Sequence, residues 1–222
     1  MLTGSGLRTT LSAVLAAALC AACANDTSTR TLEVTHDGLE RVSDSRVKHA
    51  WIKPGVDFSQ YTEVGLFDCF VSFKRNWRMS HPGVGTRDME RITSALSDEF
   101  RKVFTEELEN GGYPVVADAD DHVLLVRPAI IDLDVAAPQT NSAGRSDSFT
   151  ASPGVMTLVI ELFDSVSNEI LARAIDRRRA RNVGNIQWTT AGTNRDAARK
   201  ILKRWANLLV SRLDDVHGKQ GG

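Results

Sequence analysis

The stretch from Val155 to Arg178 leaves this chain the least freedom in how it folds. Two runs rich in apolar residues, Val155–Phe163 and Glu169–Arg178, flank Asp164-Ser165-Val166-Ser167-Asn168. Asp and Asn at the ends of so short a link bond their own backbone and favour a turn. The pattern predicts an antiparallel hairpin.

Two helical stripes supply the layer that covers such a sheet. After the break "SHPGVG", Ser80–Gly85, Thr86 stands as an N-cap with Asp88 and Glu90 in the first turn, where carboxylates favour the helix dipole. Met89, Ile92, Leu96, Phe100, Val103, Phe104 and Leu108 recur at three- and four-residue spacing until Gly111-Gly112 ends the pattern. A second helix, capped by Thr193 or Asn194, runs to about Val216. Its apolar face holds Ala198, Ile201, Leu202, Trp205, Leu208, Leu209 and Leu213, and Gly218 stops it.

Further strands are expected at "WIKPG", at Val64–Phe73, at Tyr113–Val116 and at His122–Val135. Strand, helix, several strands and helix, in that order, predict an α+β two-layer domain. Its sheet is mostly antiparallel, with the two amphipathic helices packed on one face. The boundaries follow: residues 1–22 a signal peptide, 23–46 a polar tether, 47–218 one domain, 219–222 a tail. The hydroxyl- and glycine-rich segment 136–154 is expected to be a mobile loop. At 42% hydrophobic and 25% charged residues the composition is that of an ordinary globular protein. A net charge of -1 offers no bulk attraction for nucleic acid or an anionic membrane surface.

The amino end reads as an export signal. One cation, Arg8, precedes an apolar run from Leu11 to Ala24, and a polar stretch follows. A helix that spans a bilayer needs roughly 20 apolar residues, more than this run holds. Two processing routes stand open. Leu19-Cys20-Ala21-Ala22-Cys23 follows a lipobox, apart from Cys20 where an apolar residue is usual, and makes Cys23 the lipid attachment site. Ala22-Cys23-Ala24 equally fits an ordinary cut that releases a soluble chain at Asn25. Either route leaves Cys69 as the one internal cysteine, so the domain holds no disulfide, and a small buried thiol is expected there.

Reaction chemistry is poorly supported. Asp118, Asp120 and Asp121 beside His122 lack both the alternating oxygens of a calcium loop and a second zinc ligand. "HPGVG" precedes a helix without the Walker lysine, and neither G-x-S-x-G nor H-E-x-x-H occurs. Glu161, Asp164, Glu169 and Asp176 cluster around the hairpin, but turn bonding and the neighbouring arginines account for them. The densest charge block is Arg177–Arg181, whose arginines either hold an anion by bidentate contacts or keep a strand edge from aggregating.

Three segments resemble a bacterial lipoprotein family catalogued as domain of unknown function 3313: "WIKPGVDFSQYTEVGL" (Trp51–Leu66), "LLVRPAIIDLDVAAP" (Leu124–Pro138) and "LVIELFDSVSNEILARAIDRR" (Leu158–Arg178). The resemblance implies an envelope lipoprotein of a Gram-negative bacterium, with no assigned activity. Ala24 is not the aspartate that such lipoproteins use for inner-membrane retention, which implies the outer membrane.

The expectation is therefore a non-enzymatic binding or structural module. It needs no cofactor or metal, and it is tethered through Cys23 at the periplasmic face of the outer membrane. Arg177, Arg178, Arg179 and Arg181 are the candidate contacts for an anion or a partner, either another envelope protein or a cell-wall or lipid polymer. Nucleic acid is excluded by export. Two alternatives stand beside this reading: a hydrolase of envelope material with Glu161 or Asp176 as general acid/base, and a soluble periplasmic binding protein cut after Ala24.

Overall fold

A computed structural model describes residues 33–135, 154–179 and 191–219. The signal, Cys20, Cys23, Arg181 and all of the 136–154 loop except Gly154 lie outside the described residues. The strands are β1 (Glu40–Arg41), β2 (His49–Ile52), β3 (Glu63–Leu66), β4 (Phe70–Phe73), β5 (Val115–Val116), β6 (Val123–Asp134), β7 (Val155–Asp164) and β8 (Ile170–Arg179). The helices are α1 (Thr86–Asn110) and α2 (Ala191–Val216). Strands form one sheet in the order β1-β2-β8-β7-β6-β3-β5, and β4 pairs with β6 beyond the end of β3. The fold is α+β, as expected.

The hairpin β7–β8 forms where the sequence placed it. Asn168 takes a left-handed φ of 56° in the turn. Asp164 Oδ1 accepts the backbone amides of Val166 and Ser167 at 3.2 and 2.7 Å. These are the local bonds that make Asp and Asn turn residues.

Four strand pairings are antiparallel and three are parallel, so the sheet is mixed. The parallel pairs arise because α1 carries the chain from β4 back across the sheet to β5 and β6, as parallel neighbours require. Val64–Phe73, expected as one strand, is two. Between β3 and β4 the backbone leaves the ladder and bonds α1 instead. Ser97 Oγ donates to the Cys69 carbonyl at 2.9 Å, and Arg101 reaches both the Leu66 carbonyl (3.2 Å) and Asp68 (2.6 Å).

Helix α1 begins one residue earlier than its Thr86 cap predicted. Gly85 is the N-cap, and its amide donates to Asp88 Oδ2 at 3.2 Å, so an acidic side chain caps from inside the helix. At the far end Gly112 adopts φ 81°, a conformation that costs glycine little. Helix α2 starts at Ala191, ahead of the expected cap.

Residues 33–46, expected as tether, belong to the fold. Val34 bridges to Glu40, β1 pairs with β2, and Leu39 is fully buried. Backbone pairing and the buried Leu39 help to hold a segment whose composition is mostly polar.

The core lies between the sheet and the helices. Phe100 and Phe104 stack at 3.9 Å, and both are 0% exposed. Along the outer seam of the helix pair Arg199 bonds Glu99 and Lys203 bonds Glu107, both at 2.8 Å. Replacing Phe100 with Ala is expected to lower unfolding free energy by about 3–5 kcal/mol. Urea denaturation checks this, and an unchanged midpoint would place the core elsewhere.

Candidate functional site

The register of β2, β8 and β7 creates a hollow under α2. Ala50 faces Ala174, which faces Ile160, and in the next row Ile52, Ala172 and Leu162 align. On the helix side β8 therefore presents two methyl groups, Ala172 between Ile52 and Leu162 and Ala174 between Ala50 and Ile160. Trp205, Leu208, Leu209 and Leu213 of α2 form the roof, and residues 42–47 close one end. The partly open cavity measures about 330 Å³, within the usual range of ligand pockets, and its walls are overwhelmingly apolar.

Polar groups reach this cavity from two places. Asp176, 5% exposed, accepts Trp205 Nε1 at 2.8 Å and the Lys48 amide at 3.1 Å, and Arg178 Nε also donates to it. A carboxylate with three donors has its charge neutralised and its lone pairs engaged. At the mouth stand Asp44, Ser45, Arg46, Arg212 and Asp215. Arg212 pairs with Asp215 at 3.3 Å, while Arg46 Nη1 crosses the opening to Ser211 Oγ at 2.8 Å.

Glu161 lies on the sheet face away from the helices, directly across the ladder from Arg127 and Arg173. Arg173 bonds Glu161 at 2.8 Å and Asp37 at 2.6 Å, and the Arg127 guanidinium sits 4.4 Å above the Phe163 ring. Burial raises the Glu161 carboxyl, but its bonds to Arg127 and Arg173 outweigh that and hold it below the ordinary glutamate range. The Arg173 bond likewise holds Asp37 down at about 2. These acids form an alternating ion row that ties the 33–42 segment to the sheet.

The other expected sites separate. Arg177 and Arg179 are exposed and form no ion pair among the described residues, whereas Arg178 is committed to Asp176. The ladder from β2 stops at Ile175, so the strand end carrying these arginines extends past it. Asp120 and Ser165 bond each other, and His122 Nδ1 lies 3.2 Å from the Gln60 carbonyl, which makes that acidic turn a staple between loops. Burial pushes the Cys69 thiol up to about 12, far from a nucleophile's range. The cavity itself was missed by sequence reasoning. Its available signal was alanine at positions 50, 172 and 174, which only the strand register brings together.

A family model described as "Protein of unknown function (DUF3313)" matches residues 29–207. Among curated proteins nothing matches. Solved structures with a similar course of chain include a PelC dodecamer from Paraburkholderia phytofirmans, 9% identical over 72% of this chain and 95% of that one, with a TM-score of 0.39. A second crystal form of PelC matches with 11% identity, 72% and 96% coverage and a TM-score of 0.35. A neuraminyllactose-binding hemagglutinin homolog from Helicobacter pylori matches with 11% identity, 72% and 87% coverage and a TM-score of 0.36. Likenesses this distant say nothing of function.

The ion row makes stability depend on acid. A carboxyl whose folded pKa is depressed stabilises the fold above its unfolded pKa and loses that contribution as pH falls through the folded one. For Asp37 the window runs from 3.8 down to about 2. Asp37→Asn should cost about 1.5–3 kcal/mol at neutral pH and flatten the fall in stability across that window. Chemical denaturation at a series of pH values reads both effects.

Proposed function

This chain belongs to the DUF3313 family, proteins of unknown function, and from that premise we propose that it is an exported envelope lipoprotein whose domain binds rather than catalyses. The observation that carries the reading is the chemistry of its cavity. The walls are apolar, and the one buried carboxylate that reaches them among the described residues, Asp176, is already engaged by Arg178, Trp205 and the Lys48 amide. Those donors occupy the lone pairs that a general acid or base would have to turn toward a substrate. Glu161 is further from that role, held ionised between two arginines on the opposite face of the sheet.

Lipid on Cys23 would anchor the protein at the periplasmic face of the outer membrane. Several acyl chains on one residue exceed what stable anchoring requires. The exposed Arg177 and Arg179 at the open end of β8 are suited to an anionic group on an envelope protein or wall polymer.

A hydrolase remains the second reading because Asp176 is both buried and adjacent to a cavity. Its three donors argue against it. Asp176→Asn separates the two: loss of turnover on ester or glycoside substrates by the purified chain would favour the enzyme, and absence of turnover in both forms favours binding.

Mass analysis of the mature amino terminus tests export. The expected species begins at an acylated Cys23, and Cys23→Ala should move the protein from the membrane to the soluble periplasmic fraction. Full-length chain retaining Met1 in the cytosol would overturn the assignment.

A further inference from the structure

We infer that the cavity beneath α2 accommodates a single aliphatic chain ending in an acidic head, carboxylate or phosphate, with the head at Arg46. The inference rests on the binding reading above and specifies its ligand.

Protein interiors pack with few voids larger than a water molecule. Here β7 carries Leu158, Ile160 and Leu162, and β8 sets only Ala174 and Ala172 opposite the last two, leaving a partly open hollow of about 330 Å³. A cavity of roughly 150 Å³ holds a benzene molecule, so by volume this one takes roughly a dozen carbons. An apolar wall offers no hydrogen-bonding partner, which favours hydrocarbon over sugar or peptide.

The mouth decides the head. Arg212 is neutralised by Asp215, Arg173 is turned to Glu161 and Asp37 on the other face, and Asp176 is committed to Arg178. That leaves Asp44 and Arg46 without an ion pair among the described residues. Among the described residues Asp44 makes no hydrogen bond, and it is exposed to water. Arg46 is held across the opening by Ser211 Oγ, a neutral acceptor, so its guanidinium is positioned without an ion-pair partner among the described residues. A guanidinium is weakly hydrated and matches carboxylate and phosphate geometry, so it is the better partner for a head leaving water.

The test titrates the purified full chain, exchanged out of detergent, with octanoate, decanoate and dodecanoate below their micellar concentrations, following tryptophan fluorescence. Trp205 in the roof supplies the signal. Affinity should rise about tenfold for each two methylenes, and gain nothing beyond roughly a dozen carbons. Dodecyl phosphate should bind as dodecanoate does, and dodecyltrimethylammonium at least tenfold more weakly. Ala174→Leu fills the hollow and should abolish binding while the urea midpoint holds or rises. Arg46→Gln, at an exposed position, should keep chain-length dependence but erase the preference for an acidic head.

A flat titration with all three carboxylates overturns the inference. So does binding that ignores chain length, or an Ala174→Leu protein that folds and still binds. Equal affinity for the quaternary ammonium overturns the assignment of the head to Arg46. A mature chain acylated at Cys23 with a flat titration leaves the envelope reading standing and removes only the ligand. A cytosolic chain retaining Met1 that binds in the expected series does the reverse.

Discussion

Cross-strand register in β6, β7 and β8 is the constraint on which the rest of the molecule depends. Arg127 pairs with Glu161 and Glu161 with Arg173, while one residue along Pro128 pairs with Ile160 and Ile160 with Ala174. Side chains alternate across a strand, so a slip of one residue would exchange the two sets. The charged row would then face the helices and the apolar row would face away. Burial of Phe100, Phe104, Leu124 and Leu202 against the helix side makes that exchange prohibitively costly.

Each face of the sheet follows from this choice. Away from the helices the alternating charges neutralise one another along the row and recruit Asp37, which fastens a polar leading segment that has little apolar surface of its own. Toward the helices the same ladder sets small residues beside large ones and leaves the hollow under α2. Asp176 is the exception on that side. It is a carboxylate on the core face, and it persists because Trp205, Lys48 and Arg178 supply its donors.

Hydrogen bonds from helix to sheet explain why neighbouring segments depart from the simple pattern. An apolar run from Val64 to Phe73 should continue as one strand, yet Ser97 and Arg101 of α1 take the carbonyls at its centre. The chain gains side-chain partners for backbone groups that would otherwise lie unpaired near the core. The result is a kinked connection that lets β3 and β4 share one edge of the long β6.

Local chemistry determined much of this protein from the sequence alone. The hairpin with its Asp164–Asn168 turn, the two helical stripes, and the α+β class all follow from periodicity and turn residues, because these act over a few positions. The segments matching the DUF3313 family were likewise readable. What only the tertiary structure decided involves residues distant along the chain. Asp37 joins the domain through Arg173, more than a hundred positions away, and Leu39 joins it by burial. The cavity exists because Ala50, Ala172 and Ala174 meet across two strands under Trp205. Glu161 and Asp176 differ in fate because opposite faces of one sheet meet different neighbours. An alanine or a carboxylate reads the same in any sequence window, and its role is set by the neighbours that folding brings to it.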